Sequence, residues 1–240
     1  MSQSQGTKYE QLRISGLNAF YGESHILHGV DLVVHRGELV TLLGRNGSGR
    51  STTLKAIMNM VGRRTGSIMI NGEETTKCAP HSIARLGVGY CPEHRGIFSS
   101  LSVQENLTLP PLVHSGGMSL DEIYTMFPNL YARRFSQGTK LSGGEQQMLA
   151  MARILRTGAN MLLLDEITEG LAPVIVETLG EVLVALKKKG LTIVLAEQNF
   201  HFAASLADRH YVLEYGQIVE EINSHELSSK RTLLDHYLCV

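Results

Sequence analysis

A glycine-rich loop at residues 44–52 has the residue types and spacing of a phosphate-binding loop. It follows an apolar run at 39–43 that predicts a buried strand, and precedes a pattern at 53–60 that predicts a helix. Glycines let backbone N–H groups surround an anion, and a helix N-terminus adds partial positive charge. Ser51 would offer its hydroxyl to Mg²⁺, whereas Arg50 stands where the motif has lysine. The loop consists of Gly44, Arg45, Asn46, Gly47, Ser48, Gly49, Arg50, Ser51 and Thr52.

An acidic pair, Asp165 and Glu166, follows a second apolar run at residues 162–164. A strand there would deliver both carboxylates to the edge of the sheet at which the phosphate-binding loop also opens. Asp165 could then hold Mg²⁺ through water, and Glu166 could polarise an attacking water. The alternative is an acidic N-cap for the next helix, which the loop upstream makes the weaker interpretation.

A third motif begins a helical pattern at Ser142, Gly143 and Gly144. Exposed N–H groups, a hydroxyl and the helix dipole make such a start a second anion site. The alternative is a plain N-cap followed by flexible glycines. One bound phosphate does not need two phosphate sites from the same chain. The two motifs could serve one phosphate if each came from a different chain.

The order of apolar runs and helical patterns predicts an α/β fold with a mostly parallel sheet. Strands with tight turns are predicted over residues 10–43, with Tyr21 in a loop after Phe20. Helical patterns over roughly residues 92–157 predict an inserted helical subdomain, so the 240 residues form a single domain. A helix at 174–189 and a buried strand at 192–196 complete the prediction.

The composition excludes several classes of protein. A net charge of −1 gives no general affinity for nucleic acid. Cys78, Cys91 and Cys239 lack metal-ligand spacing and are expected to be reduced thiols. The polar residues 1–5 are expected not to begin a signal peptide, and no apolar run reaches the about eighteen residues of a membrane span.

The three motifs, in this order and spacing, resemble the ATP-binding cassette of ABC transporters. Finer detail is similar to one group within that family, the LivF-type ATPase subunits of branched-chain amino acid importers. That detail lies in residues 90–98, 141–148, 166–173, 196–199 and 206–219. The resemblance covers nearly the whole chain and implies the cassette fold, with an antiparallel N-terminal part.

The resemblance also implies a site for ATP and Mg²⁺. Tyr21 would stack on adenine, although it could instead be an ordinary tyrosine packed on the sheet. Residues 44–52 would wrap the phosphates, with Arg50 holding the β- and γ-phosphates. Ser51 and Asp165 would serve Mg²⁺, and Glu166 would be the catalytic base. Ser142, Gly143 and Gly144 would contact ATP held by an opposing subunit.

Several positions depart from the usual pattern. Residues 167–169 replace the Pro-Ser-Leu common in the LivF-type group, and Ala172 stands where many cassettes outside that group have an aspartate. Glu93 stands where most cassettes have a glutamine that senses Mg²⁺ and the membrane partner. Gln198 occupies the switch position, usually histidine, and can donate a hydrogen bond but cannot carry a proton's charge. Arg50 carries a planar, forked guanidinium, whereas the lysine usual at this position carries a compact point charge. Together Arg50 and Gln198 put the strength of hydrolysis in question.

The function implied is ATP hydrolysis that powers import of a branched-chain amino acid or related solute. The chain would lie at the cytoplasmic face of a bacterial inner membrane. Its partners would be a second ATPase subunit or a second copy of itself, two transmembrane permease subunits and, indirectly, a periplasmic binding protein. Urea, amides and aromatic acids are alternative solutes.

Three other functions are possible for a cassette of this kind. A lipopolysaccharide-export ATPase would be expected to carry histidine at position 198 and glutamine at position 93, and this sequence has neither. A soluble ABC protein of translation or DNA repair needs two cassettes or a long coiled coil, and 240 residues hold neither. A nucleotide-binding regulatory subunit with little or no hydrolysis is the alternative that Arg50 and Gln198 favour.

Overall fold

The computed structural model describes residues 9–238 of the chain. The start of the sequence, where no signal peptide is expected, and Cys239 lie outside the described residues. Cys78 and Cys91 are free thiols, as predicted.

The secondary structure alternates between strands and helices through most of the chain. The strands are β1 (Glu10–Tyr21), β2 (Ser24–His35), β3 (Leu39–Leu43), β4 (Arg63–Ile70), β5 (Glu73–Glu74), β6 (Val88–Cys91), β7 (Met161–Asp165), β8 (Thr192–Glu197), β9 (Arg209–Glu214) and β10 (Gln217–Asn223). The helices are α1 (Arg50–Ile57), α2 (Pro80–Arg85), α3 (Val103–Thr108), α4 (Leu120–Met126), α5 (Pro128–Ala132), α6 (Gly143–Arg156), α7 (Pro173–Lys188), α8 (Phe200–Ala204) and α9 (Arg231–Leu238).

An antiparallel sheet in the order β2-β1-β4-β5 forms the N-terminal part. Val30, Leu32 and Val34 on β2 are buried, and Asp31 between them is exposed. This alternation is typical of a strand that packs one face on a core. The predicted antiparallel part is therefore confirmed.

A second sheet has the order β10-β9-β3-β8-β7-β6 within the described residues. Its neighbouring strands are parallel except for β10, which pairs antiparallel with β9. Every residue of β3, β7 and β8 is buried, because these central strands are covered on both faces. Uninterrupted apolar runs follow from that burial, and the predicted mostly parallel α/β fold is confirmed.

Within residues 9–238, three apolar clusters pack against the parallel sheet, the smallest of them around Leu43 and Phe200. Helix α1 packs between the two sheets, with Leu54 and Ile57 buried there. The opposite face is covered by α7 and by the helical segment between β6 and β7, which contains α3 to α6. Met148 and Leu149 on α6 are buried in this second core, as their spacing predicts.

Several boundaries differ from the prediction. Helix α1 begins at Arg50 rather than at residue 53, because Gly49 takes a left-handed φ of 110° and acts as the N-cap. It ends at Ile57 because Asn59 has a φ of 54°. Tyr21 is the last residue of β1, not a loop residue, since its pairing with Ser24 continues the β1–β2 ladder. The patterns also miss α5 and every element after β8.

None of the helices within residues 9–238 combines the length and the apolar character needed to cross a bilayer.

Candidate functional site

The phosphate-binding loop connects the end of β3 to the start of α1 and is closely packed against its surroundings. A Cβ on Gly44 would lie 2.3 Å from the Leu213 carbonyl oxygen and 2.6 Å from Ser48 Oγ. A Cβ on Gly49 would lie 2.7 Å from Leu27 Cδ2. Both positions therefore require glycine, and the loop backbone is free to curve around a ligand.

A cavity of about 310 Å³ opens over this loop. Tyr21, Ile26 and Glu166 line it together with the loop itself. The loop residues concerned are Arg45, Gly47, Ser48, Gly49, Arg50, Ser51 and Thr52. Tyr21, about 41% exposed, brings an aromatic face to the rim of a site rich in N–H donors. The structure thus brings together the predicted aromatic residue, the phosphate-binding loop and the predicted catalytic base.

Arg50 has a partner that the sequence does not indicate. Its side chain is 3% exposed, and its Nη2 lies 2.5 Å from Glu166 Oε1. The same guanidinium donates to the Gly44 carbonyl and, at 3.3 Å, to Asn46 Oδ1. Arg50 therefore joins the loop to the predicted base. The expectation that Arg50 serves phosphate alone omits this ion pair, which needs the longer, forked side chain.

Asp165 lies at the end of β7, and its side chain is 1% exposed. Ser51 donates a 2.8 Å hydrogen bond to Oδ1, and Tyr90 donates one of 3.1 Å to Oδ2. Burial raises the pKa of this carboxyl, while the bonds from Ser51 and Tyr90 act against that rise. Burial, followed by the Asp165 charge, also raises the pKa of the Tyr90 phenol.

These groups fit the chemistry of Mg²⁺ and phosphate. Mg²⁺ prefers hard oxygen ligands, and Ser51 and Asp165 place a hydroxyl and a carboxylate side by side. Two buried polar atoms of the loop, Ser48 Oγ and Arg50 Nε, have no hydrogen-bond partner within residues 9–238. An anion in the loop would supply acceptors to groups that otherwise lack them.

Glu166 has a left-handed φ of 46°, which is unusual for a non-glycine residue. Its N–H donates a 2.9 Å hydrogen bond to the Ala196 carbonyl on β8. Carboxylate oxygens of Glu93, Glu166 and Glu169 lie within 4.8 Å of one another, so the predicted sensor residue Glu93 is beside the predicted base. Repulsion by Glu166 is the main cause of the raised pKa of Glu169.

A second cavity, of about 380 Å³, shares Glu166 with the first. Gln198 lines this cavity and is exposed, so it could reach a ligand that Glu166 also faces. Its neighbour Glu197 is 2% exposed, and burial raises the pKa of that carboxyl to about 7. Thr168 accompanies Glu197 in the lining.

Ser142, Gly143 and Gly144 lie outside the residues that line the cavity over the loop. Ser142 is the exposed N-cap of α6 and forms a reciprocal capping box with Glu145. A Cβ on Gly144 would lie 2.8 Å from Ile175, at the start of α7. Ser142 therefore faces solvent, whereas Gly144 is buried against Ile175.

Several residues that the sequence motifs give no site role lie at these cavities or bond to Asp165. They are Ile26, Tyr90, Thr168, Glu169 and Glu197. The available signal was position, because Tyr90 and Glu197 stand at or next to the carboxyl ends of parallel strands. Polar residues at that edge of a parallel sheet commonly face a ligand crevice.

Comparison with known proteins identifies the family. The ABC transporter family model matches residues 27–169, more than half of the chain. The chain belongs to the ABC transporter family. It is thus an ATP-binding cassette of the ATPase type.

Curated relatives resemble the cassette over nearly its full length. The high-affinity branched-chain amino acid transport ATP-binding protein BraG of Pseudomonas aeruginosa is 38% identical over 230 residues, covering 95% of this chain and 99% of the relative. The probable branched-chain amino acid transport ATP-binding protein LivF of Archaeoglobus fulgidus is 37% identical over 220 residues, covering 90% and 93%. The predicted LivF-type resemblance is therefore confirmed.

Solved structures support the same assignment. The ATP-binding subunit of an ABC transporter superposes on the cassette with a TM-score of 0.79 at 27% identity, covering 96% of this chain and all of that one. A dimeric cassette in a post-hydrolysis state with ADP and Pi gives a TM-score of 0.78 at 25% identity, covering 89% and 98%.

Proposed function

We propose that this cassette binds and hydrolyses ATP to power an ABC importer for branched-chain amino acids or related solutes. The observation that carries the proposal is the 38% identity to BraG over 95% of the chain, and the two cavities that share Glu166 support it. The 240 residues would act as one domain with a helical subdomain over roughly 92–157.

The cassette would work in an assembly at the cytoplasmic face of a bacterial inner membrane. A second cassette, either a different ATPase subunit or another copy of this chain, would complete each site. Two permease subunits would form the transmembrane path, and a periplasmic binding protein would select the solute.

In the proposed nucleotide site, Tyr21 stacks on adenine and residues 44–52 hold the phosphates. Ser51 and Asp165 are the residues that would hold Mg²⁺. When bound, Mg²⁺ would offset negative charge on the phosphate oxygens. Tyr90 orients the Asp165 carboxylate from the side opposite Ser51, since each donates to a different oxygen of it.

The proposed chemistry centres on Glu166, which would accept a proton from the attacking water. In the structure its carboxylate is paired with Arg50. Phosphates entering the loop would compete for the Arg50 guanidinium, and Glu166 would then be free to face the water. Gln198 would donate an amide hydrogen bond to the γ-phosphate.

The other half of the site would come from Ser142, Gly143 and Gly144 of the second cassette. The capped N-terminus of α6 would there meet the γ-phosphate with its N–H groups and partial positive charge. ATP would thus hold two cassettes together, and its hydrolysis would release them.

The Arg50–Glu166 ion pair also favours a second candidate, a cassette that binds nucleotide but scarcely hydrolyses it. Here Arg50 would keep Glu166 from activating water even when nucleotide is bound. The two candidates differ in turnover, which separates them directly.

The test is the ATPase rate of the purified cassette, of Glu166→Gln and of Glu181→Gln, an exposed glutamate on α7 that serves as a matched control. We expect Glu166→Gln to lower turnover by about 10²-fold or more and to accumulate ATP-dependent dimers on size exclusion. Glu181→Gln should match the parent. A parent that binds ATP without turnover, alone or in membranes of its source, would favour the second candidate.

The solute requires a separate measurement. Cells lacking the gene should lose high-affinity uptake of radiolabelled leucine, isoleucine or valine, and regain it when the gene is restored. Loss of urea, amide or aromatic acid uptake instead would assign one of the alternative solutes.

A further inference from the structure

The predicted base is carried on a short turn that is attached to the neighbouring strand at its start. Glu166 leaves β7 with a φ of 46°, and its N–H bonds to the Ala196 carbonyl of β8. A left-handed conformation at a residue other than glycine costs free energy, so the surrounding structure must impose it. The Ala196 contact supplies one such constraint.

The same turn is attached to β8 a second time, through Thr168. Its N–H donates to Glu197 Oε1 at 3.1 Å, and its hydroxyl lies 3.0 Å from each Glu197 carboxylate oxygen. Thr168 is 7% exposed, so these bonds are shielded from water. The Leu171 N–H also bonds to the Thr168 carbonyl, at 3.3 Å, which extends the ordered turn.

Glu197 is placed where it can connect the turn of Glu166 to neighbouring parts of the site. It is the last residue of β8 and pairs with Leu43, the last residue of β3 before the phosphate-binding loop. It also precedes Gln198 at the switch position. One side chain therefore connects the turn of Glu166 to the strand end from which the loop and Gln198 are positioned.

Stability alone does not account for a carboxyl at this position. Glu197 is 2% exposed, and within residues 9–238 no lysine, arginine or histidine forms an ion pair with it. Burying a carboxyl without a cation is costly, and an apolar side chain of similar volume would avoid that cost. The buried carboxylate is instead satisfied by hydrogen bonds from Thr168 and from the Asn199 backbone, and Thr168 is the side chain that bonds to it.

We propose that Glu197 and Thr168 form a buried pair of positioning residues that holds the backbone turn carrying Glu166 in the place that catalysis requires. The inference rests on the proposed function, ATP hydrolysis with Glu166 as base. Neither residue touches the reacting atoms. The bonds between Thr168 and Glu197 hold the turn at Thr168, and the bond to Ala196 holds it at Glu166.

The pair predicts a loss in kcat rather than in nucleotide binding, since the phosphate-binding loop would keep its own contacts. Thr168→Val removes the hydroxyl, keeps the side-chain shape and leaves the backbone N–H bond intact. Thr168→Ser is the matched control because it keeps the hydroxyl. Displacement of a catalytic group by a fraction of an ångström is enough to lower turnover, and we expect about a tenfold drop in Thr168→Val.

The experiment measures kcat and KM for ATP, and Kd for ADP, in the parent and both variants. Thr168→Val should keep KM and the ADP Kd within about twofold of the parent, and Thr168→Ser should restore most of kcat. Glu197→Leu removes the acceptor of both the hydroxyl bond and the N–H bond of Thr168, so it should lower kcat at least as much as Thr168→Val. The double variant should be no slower than Glu197→Leu, because that variant has already lost the hydroxyl contact that Thr168→Val removes.

Parental kcat in Thr168→Val would overturn the pairing, as would equal losses in the valine and serine variants. A loss of ADP affinity in step with kcat would reveal a merely structural role and would also overturn it. If Thr168→Val fails to fold, kcat and ADP affinity in Glu197→Leu decide in the same way. A parent without turnover would refute the proposed function together with this inference, whereas a parent with turnover and an unaffected Thr168→Val refutes the pairing alone.

Discussion

At the scale of single residues, arginine in place of lysine at position 50 changes the contacts of Glu166, the proposed catalytic base. Its guanidinium reaches Gly44, Asn46 and Glu166 at once, while its buried Nε lacks a partner within residues 9–238. A lysine ammonium is a single point charge and cannot occupy all these directions. The ion pair with Glu166 is therefore a property of arginine at this position.

Substitutions at Arg50 separate its two proposed roles. Arg50→Lys should retain ATP binding and turn over at least as fast as the parent, because lysine keeps the charge but releases Glu166. Arg50→Ala should weaken ATP binding by about tenfold or more, since the positive charge at the phosphates is lost. Fluorescent-nucleotide titration and steady-state ATPase rates measure both effects. Unchanged ATP affinity in Arg50→Ala would exclude a role in holding phosphate.

The loop and the acidic pair could be predicted at this scale because phosphate chemistry constrains local sequence. Both are identified by residue type and spacing, whereas the role of Tyr21 is implied only by the resemblance to the family. The Arg50–Glu166 and Thr168–Glu197 contacts could not be predicted in this way, because their partners are 116 and 29 residues apart. Such pairings depend on which strands become neighbours, and that emerges only once the sheet is assembled.

At the scale of secondary-structure elements, three helices begin in the same manner. Ser102, Ser119 and Ser142 each form a reciprocal capping box with the glutamate three residues later. The Ser119 and Ser142 caps have nearly identical backbone angles, with ψ values of 164° and 162°. Local geometry thus does not distinguish the proposed phosphate contact at α6 from an ordinary helix start at α4.

Alanine substitutions at these two caps should have the same effect on stability and different effects on function. Ser142→Ala and Ser119→Ala should each lower the free energy of unfolding by about 1 kcal/mol, because each removes one cap. Ser142→Ala alone should also reduce ATP-dependent dimer formation and ATPase turnover. Chemical denaturation and size exclusion with ATP provide the comparison. Equal effects of both variants on dimer formation would mean that Ser142 acts as a cap only.

Elements were predictable where burial imposes a simple pattern. The strands β3, β7 and β8 are apolar throughout because both faces are covered, and helix α6 shows one apolar face. The start of α1 was predicted three residues late, because the conformation of Gly49 and not the local apolar pattern begins the helix. Helices α5 and α8 have five residues each, too few to establish a helical period.

At the scale of the whole molecule, the parallel sheet places the candidate site residues at one of its edges. Strand β3 ends before Gly44, β7 ends at Asp165 and β8 ends at Glu197. These strands are neighbours in the order β3-β8-β7, so residues far apart in sequence converge there. Burial within this sheet also shifts the pKa values of titratable side chains on its strands.

Two buried groups make opposing contributions to the pH dependence of stability. Burial lowers the pKa of His210 from 6.5 to about 4, where its Nδ1 lies 2.7 Å from Thr41 Oγ1. The folded state thus resists protonation of this histidine, and stability rises as pH increases from about 4 to 6.5. Burial raises the pKa of Glu197 from 4.5 to about 7, so its contribution to stability falls as pH rises from about 4.5 to 7.

Glu197→Gln should isolate the second contribution, because glutamine keeps the shape and does not titrate. Between about pH 4.5 and 7 the unfolded parent loses the Glu197 proton and the folded parent keeps it, so the parent loses stability that the variant retains. The difference in free energy of unfolding between variant and parent should grow by about 3 kcal/mol across this window. Urea denaturation at pH 5, 6, 7 and 8 measures it, with exposed Glu181→Gln expected to follow the parent. Parallel curves for the parent and Glu197→Gln would show that Glu197 is ionised in the folded cassette throughout this range.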